Sequence, residues 1–371
     1  MLRRMKITAA VLRDPEGRYE LEELELAEPL ADEVLVRVVA TGMCHTDVMP
    51  RSPVSFSPPP IVVGHEGSGI VEAVGADVEG IEVGDHVVMS FDFCGECAAC
   101  LAGRPPYCET MLMRNLTGRR LDFSTGATDA DGAEVASRWF GQSSFATHAI
   151  ATARNVVVVD RDAPLELLGP LGCGLLTGAG TVMVAFDAQP GSSVVVFGAG
   201  AVGLAAVMAA KVVGCSTIVA VDLHDHRLEL ATELGATHVV RGDAADVVMQ
   251  VHAATGGGAN YALDTTGNPQ VILSALGSLR MGGHAGLVGI QTGDVVLDAA
   301  ALVGKTASGI LEGDADPRVL IPRLLELWKD GRFPFERLIE QFPLDQINEA
   351  EAASLEGRVV KPVLIAPTLS K

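Results

Sequence analysis

The sequence predicts a mixed α/β fold with two domains, and three observations carry that prediction. The chain has 371 residues, more than one hydrophobic core usually fills. Up to about residue 170, short β-type runs are punctuated by Gly, Pro and Asp, which is typical of an antiparallel β domain. From about Gly174 onward, apolar strands alternate with Ala-rich helical segments, a pattern that indicates βαβ units on a parallel sheet.

The apolar runs also give the order of the elements. In the first domain they predict strands at Ile7 to Leu12, Glu33 to Ala40, Ile61 to Val63, Gly69 to Val74 and His86 to Ser90. In the second they predict strands at Ser193 to Phe197, Thr217 to Val221, Tyr261 to Asp264 and His284 to Ile290, and helices at Val202 to Val213 and Arg227 to Leu234. After Gly309 come helices at Pro317 to Lys329 and Leu344 to Leu355, then an apolar run, Val359 to Ile365, that suits a strand returning to the first domain.

Composition and charge narrow the function classes. Hydrophobic residues make up 48% of the chain and charged residues 20%, as in ordinary folded enzymes. A formal net charge of −20 repels phosphate backbones and anionic membrane surfaces, which argues against nucleic-acid and membrane partners. The apolar run after Lys6 is halted by Arg13 and Asp14, so we expect a first strand there rather than a signal peptide, and a cytoplasmic protein.

Four of the seven cysteines lie within fifteen residues, which favours metal thiolates over disulfides. Cys94, Cys97, Cys100 and Cys108 follow the pattern Cys-x2-Cys-x2-Cys-x7-Cys. Four thiolates at about 2.3 Å saturate a tetrahedral zinc, so this predicted site is closed and structural. An iron–sulfur cluster is the alternative, which the distant fourth cysteine and the lack of a following proline disfavour.

A second set of ligand types lies in three separate segments. They contain Cys44 (within Gly42 to Asp47), His65 (within Gly64 to Gly67) and Cys173 (within Gly172 to Gly174). Two thiolates and one imidazole leave the fourth position of a zinc open to water or a substrate oxygen. That open position is the mark of a catalytic zinc.

A dinucleotide site is predicted where the strand ending at Phe197 runs into Gly198-Ala199-Gly200-Ala201-Val202-Gly203 and an Ala-rich helix. The glycines Gly198, Gly200 and Gly203 permit a tight turn and close approach to a pyrophosphate, which the helix N-terminus attracts. Asp222 ends the next apolar run. Its carboxylate can accept from both adenosine ribose hydroxyls and would repel a 2′-phosphate, so NAD is preferred to NADP.

The three ligand segments, in this order, resemble those of the medium-chain, zinc-dependent alcohol dehydrogenases. The resemblance covers nearly the whole chain, and its most specific pieces are the four-cysteine cluster and Gly64 to Val71. It implies a GroES-like, mostly β catalytic domain over residues 1–174 and 311–371, with a Rossmann coenzyme domain over 175–310. It also implies two zinc ions per chain, NAD, and reversible oxidation of a primary alcohol to an aldehyde.

The resemblance assigns roles around the open zinc site. Cys44, His65 and Cys173 are implied to be the catalytic ligands, while Glu66 lies behind the metal and can coordinate it transiently. Asp47 is implied to orient His65, as carboxylates behind ligand imidazoles do.

The implied proton path begins at Thr46, whose hydroxyl contacts the zinc-bound alcohol and passes its proton outward. Many family members carry a histidine five residues after the first ligand, where this chain has Met49. The last step therefore stays open between ribose hydroxyls, water and His45.

Further coenzyme contacts are implied by the resemblance alone. It places Thr177 and Val202 against the nicotinamide ring, with backbone from Val288 to Ile290 nearby and Thr266 and Gly267 at the coenzyme edge. Arg227 is implied near the adenosine ribose, and His45 and Lys361 are candidates for a basic contact with the pyrophosphate.

For the substrate, residues 169–180 and Trp139 to Ala146 resemble the aryl and allylic alcohol dehydrogenase branch, with Trp139 and Phe140 as candidate walls of an apolar pocket. The alternative is a thiol-adduct formaldehyde dehydrogenase, whose anionic carrier would use Arg114, Arg119 and Arg120. A non-catalytic nucleotide-binding protein and a zinc-free quinone or enoyl reductase are further alternatives, which the complete ligand set and Asp222 oppose. Small-molecule alcohols and aldehydes are the expected partners, together with a second copy in a homodimer, or a tetramer.

Overall fold

The computed structural model describes residues 4–297 and 299–367 and divides into two compact units. Unit 1 holds the residues up to Cys173, Asp316–Pro322 and the residues from Leu338 onward. Unit 2 holds Gly174–Ala315 and Arg323–Arg337. The predicted domain limits at residues 174 and 310 stay predictions, because a compact unit need not coincide with a domain.

Unit 1 is built mainly from strands. The first ten strands of the described chain are β1 (Met5–Leu12), β2 (Tyr19–Leu26), β3 (Glu33–Gly42), β4 (Ile61–Val62), β5 (Glu66–Val74), β6 (His86–Met89), β7 (Ala127–Thr128), β8 (Glu134–Val135), β9 (His148–Thr152) and β10 (Val156–Val159). Three short helices accompany them: α1 (Ala98–Leu101), α2 (Met111–Leu116) and α3 (Leu165–Leu168). Strand β2 shows why such segments form strands. Its Leu24 and Leu26 are buried and alternate with glutamates, which matches the period of two of a strand.

Unit 2 carries a parallel sheet. Its strands are β11 (Ser193–Phe197), β12 (Thr217–Asp222), β13 (His238–Arg241), β14 (Ala259–Asp264), β15 (Leu279–Leu287) and β16 (Thr306–Gly309). Its helices are α4 (Gly174–Gly180), α5 (Ala201–Val213), α6 (Asp225–Leu234), α7 (Val247–Thr255) and α8 (Pro269–Gly277). In the described chain these strands lie in the order β13-β12-β11-β14-β15-β16 and every pair is parallel.

That order is the doubly wound arrangement in which nucleotides bind at the carboxyl ends of the strands. Every residue of β11 is buried, as expected for a central strand covered on both faces. The predicted strand at Ser193 to Phe197 matches β11, and the helix predicted at Val202 to Val213 matches α5 within one residue. The α/β class and the βαβ units are therefore confirmed.

The last elements complete both units. They are α9 (Pro317–Lys329), β17 (Ile339–Pro343), α10 (Ile347–Leu355) and β18 (Lys361–Ile365). Strand β18 pairs antiparallel with β3, joining Val363 to Gly42, so the predicted return of the last strand to the first sheet is confirmed.

Two antiparallel arrangements make up the sheets of unit 1. Across the described residues, one has the order β4-β1-β2-β7-β8, and the other runs β10-β6-β5-β3-β18-β17 with β9 also on β3. Among the strand pairs named for the described residues of these two sheets, β17 and β18 form the parallel one. Buried valines of β3, β5 and β6 pack together in one core cluster of this unit.

In residues 4–297 and 299–367 no single helix has both the length and the hydropathy of a membrane span. One bent pair of helices, Leu165–Gly172 with Gly174–Ala185, has them jointly, by length and composition alone.

Candidate active site

Three of the predicted zinc ligands converge in unit 1. The sulfur atoms of Cys44 and Cys173, a ring nitrogen of His65 and a carboxylate oxygen of Glu66 all lie within 4.8 Å of one another. Cys44 caps the short 3₁₀ helix His45–Arg51, while His65 directly precedes β5. The fold thus brings together ligand types that are far apart in the sequence.

His65 is held in one orientation. Its Nδ1 lies 2.8 Å from Oδ1 of Asp47, a carboxylate that is 2% exposed and also accepts the backbone N–H of Gly64 and, through Oδ2, that of Cys44. The other ring nitrogen, Nε2, is buried and has no hydrogen-bond partner among the described residues. Because an unpaired buried nitrogen is costly, this atom beside two sulfurs fits a zinc ion, and Asp47 has the orienting contact predicted for it.

The charges of the cluster favour the metal-binding form of Cys44 and the protonated form of His65, whose proton a bound metal ion would displace. A hydrogen bond from Cys173, with the charges of His65 and Lys361, holds the pKa of Cys44 well below that of a free thiol although the group is buried. Burial disfavours a charged His65, but Asp47 and Cys44 outweigh it and raise its pKa. The surroundings thus favour a thiolate at Cys44, the form that binds zinc.

Glu66 pairs with Lys361, which the sequence made a candidate for a contact with the pyrophosphate. Nζ of Lys361 donates to both carboxylate oxygens of Glu66, at 3.0 and 2.9 Å, and to the carbonyl of Met43 at 2.9 Å. Lys361 is 3% exposed, and Glu66 raises its pKa against the opposing effect of burial. The structure therefore gives Lys361 the carboxylate behind the metal site as its partner, and the predicted contact of Lys361 with the pyrophosphate stays a prediction.

Arg51 ties the helix His45–Arg51 to two distant segments, which no sequence pattern predicted. It donates to both carboxylate oxygens of Glu351 on α10 at 3.1 Å and to the carbonyl of Gly17 at 2.6 Å. Its guanidinium also lies 5.1 Å from the ring centroid of Tyr19. Since both ends of the ion pair are mostly buried, the pair fixes the segment that supplies Cys44 and Asp47.

We expect Arg51→Gln to loosen this segment and to leave the Glu351 carboxylate without its partner. Retention of the catalytic zinc under a chelator should fall about 10- to 100-fold, as for other groups that position metal ligands. Timed chelation with metal analysis measures it, and Arg323→Gln, which breaks only an exposed pair with Glu326, is the control. Equal zinc loss from both variants would contradict the prediction.

The four-cysteine cluster also converges. The sulfurs of Cys94, Cys97, Cys100 and Cys108 lie within 4.8 Å of one another, and those of Cys94 and Cys100 are 3.9 Å apart. Four sulfurs at about 2.3 Å from a tetrahedral zinc would be about 3.8 Å apart. Backbone N–H groups point at the sulfurs, as from Cys97 to Cys94 at 3.2 Å and from Cys94 to Cys108 at 3.2 Å. The residues therefore fit a closed zinc site.

The residues of the predicted proton path lie close to Cys44. The hydroxyl of Thr46 is 3.6 Å from the Cys44 sulfur. His45 is exposed and Met49 is half-buried. The hydroxyl is thus placed beside the ligand set, whereas the route of the proton beyond it stays a prediction.

An aromatic ring covers His65. Phe140 stacks on the imidazole with ring centroids 4.4 Å apart, and Trp139 meets Phe140 edge to face at 5.4 Å. Phe140 has a left-handed φ of 51°, which bulky residues rarely adopt. Of the two candidate pocket walls, Phe140 therefore contacts the ligand set, while Trp139, 1% exposed, packs in the core behind it.

The glycine-rich turn of unit 2 has the geometry predicted for a pyrophosphate site. Gly198 has a φ of +93°, and a Cβ on Gly203 would collide with the carbonyl oxygen of Gly198. A Cβ on Gly200, at the N-cap of α5, would meet no protein atom. Gly198 and Gly203 are thus required by the turn itself, and Gly200 keeps the approach to the N-terminus of α5 open.

Asp222 ends β12 beside this turn. Its Oδ2 accepts the backbone N–H of Ala199 at 2.6 Å, and its Oδ1 accepts that of His224 at 2.9 Å. A carboxylate oxygen has two lone pairs, so each can still accept a hydroxyl. The cleft at this point is lined by Gly198, Asp222, His224, Arg227, Thr266 and Asn268, which brings Asp222 and the half-buried Arg227 to one surface.

The remaining coenzyme candidates are spread over unit 2. Thr177 is buried and donates its hydroxyl to Glu312 at 3.3 Å, and Val202 lies in the first turn of α5. Val288 donates its N–H to the carbonyl of Asp264 at 2.9 Å. Ile290 is 49% exposed, and its carbonyl lies against Gly267, where a Cβ would collide with it. Their contacts with a coenzyme stay predictions.

Comparison with known proteins agrees with this geometry. An alcohol dehydrogenase GroES-like domain model matches residues 30–161, and a zinc-binding dehydrogenase model matches residues 201–326. A geraniol dehydrogenase of Castellaniella defragrans is 46% identical over 363 residues, which cover 96% of this chain and 97% of that protein.

Solved structures are equally similar. The benzyl alcohol dehydrogenase of Acinetobacter calcoaceticus shares 43% identity with a TM-score of 0.94, covering 98% of this chain and 100% of that one. An alcohol dehydrogenase zinc-binding domain protein of Burkholderia ambifaria shares 45% with a TM-score of 0.96, covering 99% and 100%. With its ligand clusters and its parallel sheet, the chain therefore belongs to the zinc-dependent medium-chain alcohol dehydrogenases and is an oxidoreductase that acts on alcohols.

Proposed function

We propose that this enzyme oxidises primary alcohols whose carbinol carbon is attached to an aromatic ring or an allylic double bond, yielding the aldehyde with NAD⁺ as hydride acceptor. The observation that carries the substrate class is the Phe140 ring stacked on His65 at 4.4 Å. It sets an aromatic face next to the metal ligands, and such faces favour flat, unsaturated groups. The similarity of the chain to a geraniol dehydrogenase and to a benzyl alcohol dehydrogenase supports the same substrate class.

Two zinc ions per chain, one in each cluster, and one NAD complete the proposed enzyme. When bound, the zinc at Cys44, His65 and Cys173 acidifies the substrate hydroxyl, and NAD⁺ accepts the hydride. Asp47 keeps His65 in the tautomer whose Nε2 can ligate. The Thr46 hydroxyl lies beside the ligand set, where it would accept the proton that leaves the alcohol while passing its own proton outward. Phe140 excludes water from one side of the imidazole.

NAD rather than NADP is supported by the surroundings of Asp222. The carboxylate is 8% exposed and is fixed by two backbone N–H groups. A 2′-phosphate placed against it would bring like charges together, whereas ribose hydroxyls would donate to it.

A panel of alcohols tests the proposal: benzyl alcohol, geraniol, ethanol and a hydroxymethyl-thiol adduct, each with NAD⁺ and with NADP⁺. We expect kcat/KM for benzyl alcohol and geraniol to exceed that for ethanol roughly 100-fold, because an apolar pocket gains free energy with each buried carbon. Phe140→Leu should reduce this ratio and leave ethanol turnover nearly unchanged. Activity confined to ethanol would refute the substrate class.

The thiol-adduct alternative has less support. Arg114 pairs with Asp92 at 3.1 Å, Arg119 with Glu134 at 2.7 Å, and Arg120 binds both oxygens of Glu33. Because the chain's own carboxylates compensate all three arginines, they offer little net charge to an anionic thiol carrier.

The proposed assembly is a homodimer. Strand β16 is the last strand of the parallel sheet in the described chain, and its residues are largely exposed. The nearby Met281, Val303 and Leu311 are exposed apolar side chains. An open sheet edge with apolar neighbours can pair with another strand, and light scattering at several concentrations would show a monomer if this is wrong.

A further inference from the structure

The turn Glu312–Asp314 has an uncommon backbone. Three successive residues adopt positive φ angles, 49° at Glu312, 67° at Gly313 and 57° at Asp314. Non-glycine residues rarely adopt this left-handed conformation. Such residues persist where the surrounding structure imposes them, and they cluster at functional sites.

The surrounding structure here is the end of α4. A Cβ on Gly313 would lie 2.7 Å from the carbonyl oxygen of Thr177, and a Cβ on Gly180 would lie 2.7 Å from that of Gly313. The α4 helix continues into a π-helix, Thr181–Ala185, a rare form that is frequent at functional sites. Two uncommon backbone segments are therefore pressed together around Thr177.

This packing brings a buried carboxylate onto Thr177. Glu312 is 7% exposed and Thr177 is 6% exposed, and the Thr177 hydroxyl donates to Oε2 of Glu312 at 3.3 Å. Thr177 is fixed from the other side as well, because the hydroxyl of Thr181 donates to its carbonyl at 2.7 Å. Because the Thr177 hydroxyl donates its proton to Glu312, the lone pairs of its oxygen remain available as acceptors.

We propose that Glu312 sets the relative affinity of the enzyme for the two oxidation states of its coenzyme, favouring the cationic oxidised nicotinamide over the neutral reduced ring. The inference rests on the proposed function, in which Thr177 contacts the nicotinamide of NAD. A carboxylate one hydrogen bond behind that contact attracts a ring that carries a positive charge and leaves a neutral ring unaffected. Glu312 therefore tightens the binding of NAD⁺ relative to that of NADH.

Glu312→Gln tests this charge while keeping the shape of the side chain. Dissociation constants for NAD⁺ and NADH are measured separately by fluorescence titration of the zinc-loaded enzyme. We expect the constant for NAD⁺ to rise and that for NADH to stay constant or fall, so that their ratio changes about tenfold, the size of a single partly screened charge at this range. A role limited to packing would weaken both coenzymes equally, and that result would overturn the inference.

Three further variants secure the interpretation. Glu312→Asp keeps the charge and should keep most of the ratio, and Thr177→Val removes the hydrogen bond but not the charge, so it should keep the ratio too. If the buried amide of the Glu312→Gln variant prevents folding, Glu312→Ala is measured in its place, because it also removes the charge. If the unaltered enzyme bound NADP⁺ in place of NAD⁺, the proposed coenzyme would be wrong, while the ratio of oxidised to reduced affinities would still test Glu312.

Discussion

Cys44→Ala is expected to abolish alcohol oxidation, with a loss of at least about 1,000-fold in kcat/KM, and to lower the zinc content from two ions per chain to one. The variant leaves only His65 and Cys173 of the three predicted ligands, and a catalytic zinc needs three protein ligands beside its open position. Metal analysis by mass spectrometry and steady-state kinetics measure the two effects together. The four-cysteine cluster should keep its zinc, because its sulfurs form a separate group.

Cys215→Ser is the matched control for that experiment. Cys215 is buried outside both clusters, and burial raises the pKa of its thiol to about 11. A buried neutral thiol binds no zinc, so this variant should keep two zinc ions and full activity. Retention of two zinc ions and of turnover by the Cys44 variant would contradict the assignment of the catalytic site.

Asp222→Asn is expected to reverse much of the coenzyme preference. The amide no longer repels a 2′-phosphate, and it loses the charge that strengthens hydrogen bonds from the ribose hydroxyls. The ratio of kcat/KM with NAD⁺ to that with NADP⁺ should fall roughly 100-fold, the effect of about 2.7 kcal/mol at one site. Initial rates with both coenzymes at fixed alcohol concentration measure the ratio.

The control for Asp222 lies three residues further on. Asp225 has a side chain that is 78% exposed and pairs with Arg241 at 2.8 Å, so Asp225→Asn removes an equal charge away from the glycine-rich turn. It should leave the preference within about twofold. An equal change in both variants would show that general charge, rather than the contact of Asp222 with the ribose, sets the preference.

The sequence predicted those features that depend on local chemistry. Cysteines at metal-binding spacings identified the cluster from Cys94 to Cys108. A strand that runs into a glycine-rich turn located the dinucleotide site and, at the end of the next strand, Asp222. Both patterns are visible in the sequence because the residues that form each of them lie close together along the chain. Strand β15 shows the limit of such reasoning. It was predicted at His284 to Ile290 from its apolar run, but it occupies Leu279–Leu287. The strand ends earlier than predicted because the N–H groups of Val288 and Gly289 donate to the carbonyl of Asp264.

Contacts between distant residues escaped sequence reasoning altogether. The partner of Lys361 is Glu66 and that of Arg51 is Glu351, and neither pairing has a local signal. Likewise, the carboxylate beside Thr177 depends on a left-handed turn in which Glu312 adopts a conformation that glutamate rarely takes. Each depends on how segments pack, which propensity and periodicity do not encode.

The pairing of β18 with β3 has a consequence for the timing of folding. Lys361 reaches Glu66 across 295 residues of chain and Glu351 reaches Arg51 across 300, and closing such loops costs entropy that only later contacts repay. The segment carrying Cys44 is thus secured by contacts that close long loops, whereas the glycine-rich turn needs only neighbouring strands of the parallel sheet. We therefore expect a refolding chain to regain coenzyme binding before it takes up the catalytic zinc, an order that refolding followed by coenzyme fluorescence and a zinc indicator would register.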